Sequence, residues 1–164
     1  MRFPSEQQLD KMDCGPTCLK IVARYFGRFY TLAFLRKICG TTREGVSIMN
    51  IVHCAEKIGL KSRTVRCSIK QVISDVPLPF IAHWKQSHFI VVYKVTRKSI
   101  YVSDPAQGLM IYDHKTFTRN WYQPDSKKGV LIGLEPEGNF YDLNHDDNFR
   151  SKRTITSIIR RFLP

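Results

Sequence analysis

Cys14 stands where a helix should begin, and that placement is the first chemical signal in the chain. Asp13 is a favoured N-cap type, and Pro16 is tolerated in a first turn because its missing N–H would have had no partner there. Cys18, Leu19, Ile21, Val22, Tyr25 and Phe26 follow as an apolar stripe at helical spacing, which Gly27 closes. The exposed N–H groups and positive end of the helix dipole favour a thiolate at such a position. A lone cysteine is more often a small buried hydrophobe. The reading of Cys14 as a nucleophile therefore depends on partners elsewhere.

A reactive thiol needs a general base, a group to orient that base, and donors for an oxyanion. Of the five histidines, His53 falls mid-helix, His114 and His145 lie in polar stretches, and His83 and His88 occupy strand positions. His88 opens the apolar run to Val95, and a turn at Thr96-Arg97-Lys98 leads into Ser99 to Asp104. A tight hairpin there pairs positions whose numbers sum to about 193–195, which sets His88 opposite residues 105–107 and within reach of Asp104. His88 is then the base that takes the thiol proton and returns one to the leaving amine, and Asp104 fixes its tautomer. Gln8, six residues before the cysteine, can offer its side-chain amide to an oxyanion alongside the Cys14 N–H.

The elements that must position these groups are legible from periodicity and caps. Helices are expected from Cys14 to Phe26, from Leu32 to Cys39 behind Thr31, and from Ile48 behind Ser47 to a stop at Gly59. Strands are expected at 60–66, 78–84, 88–95, 99–104, 109–112 and 130–135, with short helices at 69–74 and 113–121. Helices first and an antiparallel sheet second make an α+β domain. Pro136 to Asp147 reads as a linker, which places the domain at 1–136. Residues 137–164 are then the linker and a basic, amphipathic tail, expected either as the approach to a transmembrane domain or as a frayed basic terminus.

Composition removes several function classes. With 164 residues and 43% hydrophobic content, the chain has room for one substantial core. It shows neither a signal-peptide pattern nor an apolar run long enough to cross a bilayer. The cysteines at 14, 18, 39, 54 and 67 form no CxxC pair and read as reduced cytosolic thiols, and no metal-ligand spacing fits, so no metal is expected. The net charge of +12 is scattered among apolar positions with no nucleic-acid motif, so no nucleic-acid partner is expected. Residues 135–149 carry five acids and no bases, whereas residues 150–164 carry five bases and no acid.

Gln8-x5-Cys14 with Asp13-Cys14-Gly15 and Cys18, then His88-Phe89-Ile90-Val91-Val92, then Asp104-Pro105, resembles the bacteriocin-processing peptidases. These are the cytosolic N-terminal domains of peptidase-containing ABC transporters. The resemblance covers about residues 3–136 and departs at Thr17, where a small residue such as alanine is common. It implies a papain-like fold and a cysteine endopeptidase with Cys14, His88, Asp104 and Gln8 in the site. It further implies cleavage of a secreted precursor's leader peptide after a Gly-Gly pair. The partners implied are that leader and the transmembrane and nucleotide-binding domains of an ABC transporter. The peptidase domain itself would need no cofactor, ATP serving the wider transporter. The place implied is the cytoplasmic face of the bacterial inner membrane, the isolated domain being soluble. Some relatives lack the nucleophile and only recruit substrate; the presence of all four residues here favours the active enzyme over that alternative.

Overall fold

Local signals set the helix limits. The Thr31 hydroxyl accepts the Phe34 N–H at 3.2 Å, the Ser47 hydroxyl accepts that of Asn50 at 3.1 Å, and Ser68 forms a capping box with Gln71. Gly40 ends its helix in the left-handed region at φ 64°, where a side chain would be strained. The structure, a computed structural model, describes residues 2–142. A 3₁₀ turn, Lys11–Asp13, leads into helices α1 (Cys14–Tyr25), α2 (Leu32–Cys39) and α3 (Ile48–Lys57). After strand β1 (Leu60–Cys67) and helix α4 (Ile69–Asp75) come β2 (Phe80–Trp84), β3 (His88–Val95), β4 (Ser99–Asp104) and β5 (Gly108–Asp113). Helix α5 (His114–Trp121) and strand β6 (Gly129–Pro136) complete the described secondary structure.

The strands form one antiparallel sheet of six, ordered β1-β6-β2-β3-β4-β5. The last strand thus lies between the first and second. Alternation along each strand feeds two apolar layers. On one face Leu60, Ile81, Val91, Ile132 and Leu134 pack with Leu19, Ile21, Leu35 and Ile51 from the first three helices and with Ile58, which caps α3. On the other, Phe80, Ala82, Ile90, Val92, Ile100 and Val102 meet Val72 of α4 and Phe117 and Trp121 of α5. Gly129 opens β6 directly against the Trp121 indole, where any Cβ would overlap the ring. The architecture is the expected α+β fold, with an N-terminal helical layer on an antiparallel sheet.

Three local readings change. Asp13 stands at the N-cap position of α1 but makes no side-chain hydrogen bond to that helix. Its carboxylate accepts the Asp10 N–H at 3.0 Å, closing the 3₁₀ turn, and the Arg36 Nε–H at 2.6 Å. Cys39 and Cys54 are joined in a disulfide rather than standing as reduced thiols. Packing of α2 on α3 brings their Cα atoms to 5.0 Å, inside the range a bridge spans. Finally, packing does not stop at residue 136. The Glu137 N–H donates to the Gly59 carbonyl at 2.9 Å, Phe140 is fully buried among the helices, and its carbonyl accepts from Arg28. The acidic composition of the segment concealed this one apolar anchor. The rest of the expected linker and the basic tail, 143–164, lie outside the described residues.

Candidate active site

Three elements bring the expected residues together. Cys14 is the first residue of α1 and is only 5% exposed, α1 lying across β3. His88 opens β3, and Asp104 ends β4. The β3–β4 register pairs Val91 with Ser103 and Val92 with Val102 before a bulge shifts it to Lys94 with Tyr101. Those pairs sum as the hairpin argument required, and the bulge at Tyr93 adds one without disturbing the end that matters.

His88 Nε2 lies 2.7 Å from Asp104 Oδ1. The same carboxylate oxygen accepts the Ala106 N–H at 2.8 Å, an Asx turn that fixes the side chain through its own backbone. Since Asp104 occupies Nε2, Nδ1 is the ring nitrogen left to interact with the Cys14 thiol, which helps raise the imidazole. Burial alone would depress the imidazole. Hydrogen bonds to Asp104 and Cys14, with their negative charge, outweigh it and push His88 up to about 9. At neutral pH this ring is therefore an imidazolium, suited to face a thiolate and to donate a proton.

Cys18, one turn further along α1, is fully buried; desolvation raises its thiol well above the ordinary value, and the charges of Cys14 and Asp104 add to this. It stays protonated and does not compete as a nucleophile.

Gln8 is held by the segment that precedes the 3₁₀ turn. Its N–H donates to the Pro105 carbonyl at 2.9 Å, and the Ser103 hydroxyl donates to the Pro4 carbonyl at 2.8 Å. The segment is thus strapped to the end of β4. The Gln8 side-chain oxygen is buried and has no hydrogen-bond partner among the described residues. A buried amide left partly unsatisfied is costly, and such groups concentrate where function requires them.

The other histidines stay outside this cluster. His83 stacks on Phe89 and is lowered by burial, His114 Nε2 lies 2.8 Å from the Thr96 carbonyl, and His53 sits within α3. His145 lies outside the described residues. No group of three or more His, Cys, Asp or Glu side chains among the described residues could hold a metal ion. Arg36, which grips Asp13 beside Cys14, was not singled out from sequence. In the last turn of α2 it reads as an ordinary complement to the helix dipole, and no local pattern announces its distant partner.

Comparison with known proteins places the chain in a family and matches its fold. A profile described as the Peptidase C39 family matches residues 2–124. The chain is 31% identical over 138 residues to the lactococcin-G-processing and transport ATP-binding protein LagD of Lactococcus lactis subsp. lactis, covering 81% of this chain and 19% of LagD. It is 33% identical over 140 residues to the transport/processing ATP-binding protein ComA of Streptococcus pneumoniae, again covering 81% of this chain and 19% of the relative. The chain therefore spans about a fifth of the length of these relatives. Among solved structures, the peptidase domain of Streptococcus ComA, a bi-functional ABC transporter involved in quorum sensing, superposes with a TM-score of 0.75 at 27% identity. That likeness covers 83% of this chain and 100% of the other. A double glycine motif protease from an AMS/PCAT transporter, in complex with the leader peptide, gives 0.76 at 26% identity over 82% of this chain and 92% of that one.

Proposed function

Because this chain belongs to the Peptidase C39 family, we propose that it is a cysteine endopeptidase that removes the leader of a secreted peptide precursor after a Gly-Gly pair. The observation that carries the chemistry is His88 held between Asp104 and Cys14 and pushed up to about 9. Cys14 attacks the carbonyl carbon of the scissile bond as a thiolate. The tetrahedral oxyanion is met by the Cys14 N–H and the Gln8 side-chain amide. The His88 imidazolium gives its proton to the departing amine, and the carbon–nitrogen bond breaks to leave a thioester on Cys14. Neutral His88 then takes a proton from water, whose oxygen attacks the thioester, and the thiolate leaves as the imidazolium re-forms. Asp104 holds the ring in one orientation throughout.

The substrate class follows from the relatives, whose names couple processing with transport, and from the leader-bound protease that this fold matches. Two glycines suit a cleft too narrow for side chains. The domain is proposed to work on the cytoplasmic face of the bacterial inner membrane, joined to transmembrane and nucleotide-binding domains that use ATP. It needs no cofactor itself. No helix among the described residues is long and apolar enough to cross a membrane.

Mass spectrometry of a synthetic leader–core peptide carrying Gly-Gly, incubated with the domain under reducing conditions, tests the proposal. Cleavage after the second glycine, abolished when iodoacetamide alkylates Cys14, is the expected result. An intact peptide beside an unreactive Cys14 would overturn it in favour of a substrate-recruiting module.

A further inference from the structure

The residue before the proposed nucleophile is a carboxylate with no exposure at all. A negative charge so near should oppose a thiolate, and an aspartate at an N-cap position ordinarily turns its carboxylate into the first turn of the helix it caps. Asp13 does neither simply. Its Oδ1 accepts from Arg36 Nε at 2.6 Å, and its Oδ2 accepts from Arg36 Nη2 and from the Asp10 N–H. This two-pronged grip is the geometry in which guanidinium and carboxylate bind most tightly. The Asp13 hydrogen bond also pushes the Arg36 guanidinium up. Helix α1 consequently has no side-chain cap, and Pro16, its third residue, has no N–H to offer one.

We infer that Arg36 is a positioning residue for the reaction: by turning the Asp13 carboxylate away from the first turn of α1 and neutralising it, Arg36 reserves the positive end of that helix for the Cys14 thiolate. The inference rests on the assignment of Cys14 as nucleophile. Charged and titratable groups reach Cys14 from several sides. They are His88 of β3, backed by Asp104 of β4, Cys18 of its own helix, and along the chain Asp13, which Arg36 of α2 and the Asp10 N–H hold. Helix α3 presents the apolar Ile51 side chain to the neighbouring Gly15. His88 is the partner that makes the ion pair; Arg36 cancels the one carboxylate adjacent to the thiolate along the chain.

The test is the rate of Cys14 alkylation by iodoacetamide against pH, followed by mass spectrometry on the whole chain, and it needs no peptide substrate. In Arg36→Ala the bare Asp13 carboxylate is free to turn toward α1. The midpoint for thiolate formation should rise, and alkylation below that midpoint should slow on the order of tenfold for each unit of the rise. Adding Asp13→Asn to Arg36→Ala removes the stranded charge and should bring the midpoint back down, a rescue that a purely structural role does not predict. Asp13→Asn alone keeps Arg36 whole and should lower the midpoint, which covers the case in which Arg36→Ala does not fold.

An unchanged midpoint in folded Arg36→Ala, or a midpoint in Asp13→Asn that stays or rises, would overturn the inference while leaving the peptidase assignment intact. A wild-type Cys14 that resists alkylation at neutral pH would instead remove the peptidase assignment itself.

Discussion

The Gln8 N–H donates to the Pro105 carbonyl at 2.9 Å, so the approach to Cys14 is fastened to the residue that follows Asp104. Gln8 and Asp104, far apart in sequence, are in this way set by one turn. Asp104 takes the Ala106 N–H through its side chain while Pro105 takes that of Gln8 through its backbone. The oxyanion donor and the group that orients the base thus share a mounting.

Replacement of Cys14 by alanine should abolish cleavage and leave the fold in place. The site is buried but loses only a sulfur, and circular dichroism should match the wild type. Turnover at the wild-type rate, measured by mass spectrometry, would refute the assignment of the nucleophile.

Gln8→Ala should lower turnover by about 100- to 1000-fold, the usual consequence of losing one oxyanion donor. Its backbone bond to Pro105 does not depend on the side chain, so the segment should keep its course. Kinetics separate the possibilities: kcat should fall with KM nearly constant, and a change in KM alone would make Gln8 a substrate contact.

The pH profile follows from His88. With the folded-state imidazole at about 9, the imidazolium persists through neutral pH, and activity should fall as pH rises through about 9. The stability supplied by that charge has the same sign. It is fully present below the ordinary imidazole value of 6.5 and is lost as pH climbs to about 9. Asp104→Asn removes the carboxylate that supports the charge, so the alkaline limb should move to lower pH, and turnover should fall by at least about 100-fold. An alkaline limb that stays put in this variant would show that Asp104 does not tune the ring.

Phe140→Ala should destabilise the domain by about 3–5 kcal/mol, because the ring is fully buried against the helical layer. A chemical denaturation curve measures this directly. A negligible loss would mean that the domain ends at residue 136 after all.

Much of this arrangement was legible because it is written in local chemistry. Thr31, Ser47 and Ser68 each cap the helix they announce, and the β3–β4 turn alone determines that His88 comes beside Asp104. What could not be read depends on approach across the fold. Asp13 is a strong N-cap by type, yet an arginine on another helix outbids the helix it precedes. Cys39 and Cys54 are an unremarkable pair until α2 packs on α3. Phe140 is one aromatic in an acidic stretch whose average conceals it.

The strand order has a consequence for assembly. Leu60 pairs with Pro136 and Cys67 with Gly129, so β1 has no strand neighbour until β6 arrives, and β6 must enter between β1 and β2. The hairpin carrying His88 and Asp104 needs only its own turn and can form early. The sheet on which the helical layer rests is complete only once β6 is in place. A chain cut short before Gly129 would keep its chemical groups but leave β1 and β2 each with a bare edge, open to pairing with other chains.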